Sequence, residues 1–193
     1  MLHFFHTPIV LVDIETTDIL LENVEGHFAP QIIQLAAIAL DEGLDPLCDR
    51  GVFDVDIRPK FPGFVSPFIE TLTGISESSR RLCHTWDTHC KDFWKYTSES
   101  RLPLMSWSSP FDKLVLERAY RDLGTKNPHS PKFFCAMTYA RCLANVVGLN
   151  PKGDSLKAFC EALDIEPEKS HTALSGVTKM WEVLTNLQAL IKE

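Results

Sequence analysis

The sequence predicts an α/β fold, a five-stranded mixed sheet flanked by helices, in a single domain spanning residues 1–193. Three observations carry this prediction. Two apolar, β-branched runs, residues 8–14 (PIVLVDI) and 32–40 (IIQLAAIAL), read as strands buried on both faces. A third, alternating run is followed by helical and strand-like segments in turn, the order expected of an α/β sheet. Finally, 193 residues with 45% hydrophobic and 23% charged side chains match one globular unit able to bury its own core. No repeat, low-complexity tract or linker divides the chain.

The third strand is expected over residues 51–57 (GVFDVDI), where alternation predicts one exposed face. Residues 41–49, with Gly43 and Pro46, have turn composition, so the first three strands read as an antiparallel meander. Residues 58–81 mix proline, glycine and polar residues and read as a structured loop with short helical turns. A helix over 84–95 carries Trp86, Phe93 and Trp94, and a short strand covers 102–107. Ser109 as N-cap and Pro110 at the first helical position open the next helix. Its 3–4 spacing runs through Phe111, Leu114, Val115, Arg118 and Ala119, and Gly124 ends it. The fifth strand is expected at 132–137 (KFFCAM), with helices at 139–147 and 155–163. The last helix is expected from near His171 to about Lys192, with Leu174, Val177, Trp181, Leu184, Leu187 and Ile191 on its core face.

The formal net charge is -7, which argues against a large duplex-binding surface. An acidic enzyme can still hold a short single strand where bound metal ions and a local basic rim offset the repulsion. The six cysteines form no CxxC pair. His84 and His89 beside Cys83 and Cys90 are the only cluster of metal-ligand residue types, and their spacing matches no common zinc pattern. No basic segment precedes a long apolar stretch at the N-terminus, and no apolar run reaches the ~18 residues of a membrane span. The expectation is a cytoplasmic protein with free thiols and no membrane partner.

Chemistry is expected at the end of the first strand, because ligands of α/β sheets gather at strand ends near the switch in strand order. Asp13 and Glu15 stand there, two apart, so an extended strand turns both to one side. Two crowded carboxylates at the end of an apolar strand repel each other unless a divalent cation compensates, and magnesium or manganese prefers such oxygen ligands. The plainer alternative is an acidic strand end facing solvent. Asp112 falls in the first turn of the Ser109 helix, where it could simply favour the helix N-terminus. A lone histidine placed like His171, at the opening of the last helix, is more often structural.

Taken in order, these segments resemble the DEDDh family of 3′–5′ exonucleases, which have an RNase H-like fold. Residues 12–17 (VDIETT) look like the first exonuclease motif. Residues 106–112 (SWSSPFD) resemble the second, with Asp112 as its acid. Residues 170–174 (SHTAL) resemble the start of the third, His-x-Ala-Leu-x-Asp-Ala. Residues 66–75 (SPFIETLTGI) and the Ser-Trp start of the second motif are similar to the ERI-type exoribonuclease branch. DNA polymerase proofreading exonucleases share the wider pattern.

The resemblance implies that Asp13, Glu15 and Asp112 hold two divalent ions, Mg2+ or Mn2+. It implies His171 as general base, Thr16 and Thr17 near the substrate's 3′ end, and Leu72 against the terminal base. Trp107 offers a stacking surface, with core packing favoured. The implied partner is the 3′ end of single-stranded RNA or DNA. A protein partner or homodimer stays open through the aromatic residues of 61–94.

One position departs from the family. The third motif's aspartate, five residues after the histidine, is Gly176 here. Glycine offers no side-chain oxygen, so only one of the two metals is expected to be well held. A helical glycine also costs roughly 1 kcal/mol against alanine, which points either to a close approach at that position or to simple tolerance. The implied function is therefore a 3′–5′ exonuclease, attenuated by Gly176. The alternative is an impaired relative that binds nucleic acid or protein without efficient chemistry.

Overall fold

The computed structural model describes residues 7–19, 30–60, 65–99, 101–129, 132–166 and 171–192. Strand β1 (Ile9–Thr16) lies at the centre of a five-stranded sheet of order β3-β2-β1-β4-β5. Its partner β2 (Ile32–Leu40) is antiparallel to it, and β3 (Val52–Asp56) is antiparallel to β2. On the other side β4 (Leu104–Ser106) runs parallel to β1, and β5 (Phe133–Cys135) parallel to β4. The expected meander and mixed sheet are both present. The nine residues of β2 are all buried, as its unbroken apolar run requires, whereas the edge strand β3 alternates in exposure.

The helices divide between the two faces. Odd residues of β1, Ile9 and Leu11, pack against α5 (Ala136–Val147), α6 (Leu156–Ala162) and α7 (Ala173–Lys192). Even residues, Val10, Val12 and Ile14, pack against α3 (Trp86–Tyr96) and α4 (Ser109–Asp122). Two short helices, α1 (Pro67–Thr73) and α2 (Glu77–Arg80), occupy the stretch expected to hold helical turns. Helix α1 is well delimited: the Ser66 hydroxyl accepts the Ile69 N–H, Pro67 opens it, and Gly74 closes it at φ +70°.

Two local expectations need correction. Ser109 is not the cap of α4 but its first residue; the cap is Ser108, which makes no side-chain capping bond, and Gly124 follows the end at φ +73°. On α7, Leu174 is 37% exposed rather than in the core. The inward stripe is instead Ala173, Gly176, Val177, Met180, Leu184 and Leu187, all buried. Trp181 and Ile191 pack at its margin. The helix is turned so that its smallest residues, Ala173 and Gly176, meet the sheet where β1 carries its carboxylates.

Candidate active site

Asp13 and Glu15 continue the Ile9–Leu11 side of β1, so alternation directs both half-buried carboxylates toward the face that α7 covers. The first turns of α7 descend onto this spot. A Cβ placed on Gly176 would overlap the Asp13 carboxylate, meeting its Cγ at 2.8 Å. The glycine is therefore filled space: the Asp13 side chain rests where a side chain at position 176 would begin. Of the two explanations for a glycine inside this helix, a close approach is the one found.

A residue that sequence reasoning passed over fixes α7 here. Gln34 lies directly opposite Glu15 in the β1–β2 register and is buried. Its side-chain carbonyl accepts the Ala173 N–H at 2.8 Å, and its amide donates to Asp56 at 3.0 Å. Asp56 is paired in turn with the buried Arg80 at 2.6 Å. The opening of α7, with exposed His171 two residues before the tethered amide, is thus pinned beside Glu15. The signal was present in the sequence as the one polar residue within the apolar run of β2.

The β1–β2 register slips between Glu15 and Thr16, so that Thr16 pairs with Ile32 and Ile33 is the extra residue. Such a bulge re-aims the side chain it releases. Ile33 joins Ile69 of α1 and Ile75 in a small cluster of its own. The bulge therefore seats α1, which carries Leu72 at 39% exposure, next to the end of β1. Thr16 and Thr17 are buried and already bonded to main chain. The Thr16 hydroxyl donates to the Asp18 carbonyl at 2.6 Å, and the Thr17 hydroxyl accepts the Gln31 N–H at 3.0 Å. The Thr17 carbonyl accepts the Ser66 N–H at 2.9 Å, which ties the cap of α1 to the strand end. Trp107 packs: its indole N–H reaches the Asp154 carbonyl at 2.9 Å and its ring meets Phe159 edge-on.

Asp112 belongs to a different neighbourhood. With Val115 and Leu116 it forms the buried stripe of α4, and it lies beside Ser106, which by alternation shares the side of Leu104. Burial pushes its carboxyl up to about 7, the Ser106 hydroxyl offsetting only part of the desolvation. The structure thus brings Asp13, Glu15, Gly176 and the start of α7 together, with Asp112 beneath α4. Among the described residues, no three His, Cys, Asp or Glu side chains converge to hold a metal ion. That includes the Cys83–Cys90 segment, and all six cysteines are free.

The donor chemistry nonetheless suits a hard divalent cation: paired carboxylates on one side of a strand end, and a buried carboxyl that no neighbouring cation offsets among the described residues. A five-stranded mixed sheet with an acid pair at the end of its central strand defines the RNase H-like class of nuclease folds. The family model described as Exonuclease, RNase_T, matches residues 10–184, and the chain belongs to that family.

Solved structures agree on the fold. The nuclease domain of 3′hExo, "a DEDDh family member, bound to rAMP", superposes with a TM-score of 0.76 at 16% identity, covering 97% of this chain and 94% of that one. A 3′-exonuclease recognising the histone mRNA stem-loop gives 0.75 at 17%, covering 96% and 83%. The E. coli ExoI–ssDNA complex gives 0.76 at 16%, covering 96% and 42%. No curated protein sequence matches the chain.

Proposed function

We propose that the chain is a single exonuclease-like domain that hydrolyses single-stranded RNA or DNA from its 3′ end. The observation that carries the reading is the docking of α7: the Gln34–Ala173 bond and the Gly176–Asp13 contact hold the His171 end of the helix over the Asp13–Glu15 pair. In this reading Asp13, Glu15 and Asp112 would hold a divalent ion, Mg2+ or Mn2+, which when bound supplies an acidified water and positive charge for the phosphoryl oxygens. His171, exposed at the helix opening, takes the proton of the attacking water at an imidazole nitrogen. Leu72, apolar and part-exposed on α1, supports the terminal base. Thr16 and Thr17, with hydroxyls committed to the main chain, shape the strand end against which that nucleotide lies.

A second reading, a module that binds the strand without turning it over, is favoured by Gly176, where Asp13 fills the position of the family's fourth acid. Release of labelled mononucleotide from a 3′-labelled single strand with manganese separates the two. Hydrolysis that falls to background in Asp13→Ala supports the enzyme. Binding with no release supports the module, and equal release by Asp13→Ala would place the chemistry elsewhere.

A further inference from the structure

The sheet face opposite α7 carries a second feature. A cavity of about 660 Å³ and another of about 470 Å³ lie against helices α3 and α4 and share Asp87 and Leu123 as lining residues, so they form one continuous cleft. Its walls are cationic in a chain of formal charge -7. Arg58, Lys60, Arg118 and Arg121 line the larger part and Lys91 the smaller, against the acids Asp87 and Asp122. Four of these five cations, all but Arg118, are exposed.

Aromatic surface is interleaved with the charge. Trp94 lines the smaller part at 39% exposure, and Trp86 lines the larger part. The Trp86 indole N–H is buried and meets no acceptor among the described residues. A basic groove with exposed aromatic rings is the combination that holds single-stranded nucleic acid: cations follow the phosphates, and rings stack on bases without regard to sequence.

The cleft also abuts the end of β1. Gln31, in its wall, is joined to Thr17 by two hydrogen bonds, its N–H to the Thr17 hydroxyl at 3.0 Å and its carbonyl to the Thr17 N–H at 2.9 Å. Its side-chain carbonyl accepts the N–H of Lys60 at 2.8 Å. The basic rim therefore begins two residues beyond Glu15. We infer that the α3–α4 cleft is a binding track for the single strand behind its 3′ end, an inference that rests on the nuclease reading above.

The test is equilibrium anisotropy with 5′-fluorescein oligo(dT) and oligo(rU) twelve-mers in EDTA, titrated with salt so that binding is read without cleavage. Charge removal by Arg58→Gln with Arg121→Gln should weaken binding about tenfold and lower the log–log salt slope by about 1.4, at roughly 0.7 per lost phosphate contact. Trp94→Ala should weaken it at least about fivefold with the slope unchanged. Lys157→Gln, on α6 of the other face, controls for net charge and should change neither. A wild type that binds tightly, with affinity and slope unchanged in both the arginine and tryptophan variants, would overturn the track and leave the nuclease reading standing. A wild type that binds neither strand would remove both.

Discussion

Gly176 and Asp13 are coupled by contact, so their substitutions should not add. Alanine at 176 gains helix propensity worth roughly 1 kcal/mol, but its Cβ overlaps the Asp13 carboxylate. Gly176→Ala is expected to lower stability in the wild-type background and to raise it by about 1 kcal/mol in Asp13→Ala, a double-mutant cycle read by urea unfolding. Purely additive effects would mean the carboxylate does not rest on the glycine. The contact was half legible: the missing motif acid could be read, but what fills its place depends on the rotation of α7. A second residue-scale prediction concerns pH. Asp112 has a folded pKa of about 7, so the stability it preserves below its unfolded value near 3.8 is lost as pH rises through 7. His129, buried against Phe93 and Tyr120, is held down to about 4 by desolvation; the stability it preserves above 6.5 is lost as pH falls through 4. The two slopes oppose each other between pH 4 and 6.5. In EDTA, Asp112→Asn should therefore raise the melting temperature at pH 8, with the gain shrinking toward pH 4. His129→Leu should remove the acid-side loss, on the order of 3 kcal/mol at most. A melting temperature for Asp112→Asn that tracks the wild type at every pH would contradict the buried, uncompensated carboxyl.

At the scale of elements, what the sequence made plain were the strands and helices whose pattern is local. The unbroken run of β2 and the alternation of β3 appear in the structure nearly residue for residue. The helix over 84–95 appears as α3, shifted by one or two residues at each end. The last helix was legible as an element but not in its orientation, because Leu174 and Ala173 both fit a 3–4 pattern. The choice fell to a non-local bond, the Gln34 carbonyl accepting the Ala173 N–H across 139 positions of sequence. That bond makes a prediction about the element itself. Gln34→Ala leaves the buried Ala173 amide unpaired and should cost roughly 1–3 kcal/mol. Amide exchange should quicken at residues 173–176, while the later turns of α7, held by Val183, Leu184 and Leu187, keep their protection. Uniform exchange along α7 would mean that the tether does not define where the helix begins.

Across the whole molecule, the order of motifs was enough to read the family, because each motif is a short continuous segment. The α3–α4 cleft was not legible, since Arg58, Trp86 and Arg118 come from three separate stretches that only the fold gathers into one wall. The same holds for the separation of Asp112 from Asp13 and Glu15, which follows from the faces of the sheet and not from the spacing of the acids. All of these features converge on the end of β1, where the carboxylate pair, the tethered opening of α7 and the rim of the cleft adjoin. The most direct test of that convergence is a crystal grown with manganese, examined by anomalous scattering. The account predicts an anomalous peak bound by the Asp13 and Glu15 carboxylates beneath the start of α7. Manganese bound only elsewhere, or a structure with no peak at this pair in crystals that hydrolyse a soaked strand, would contradict it.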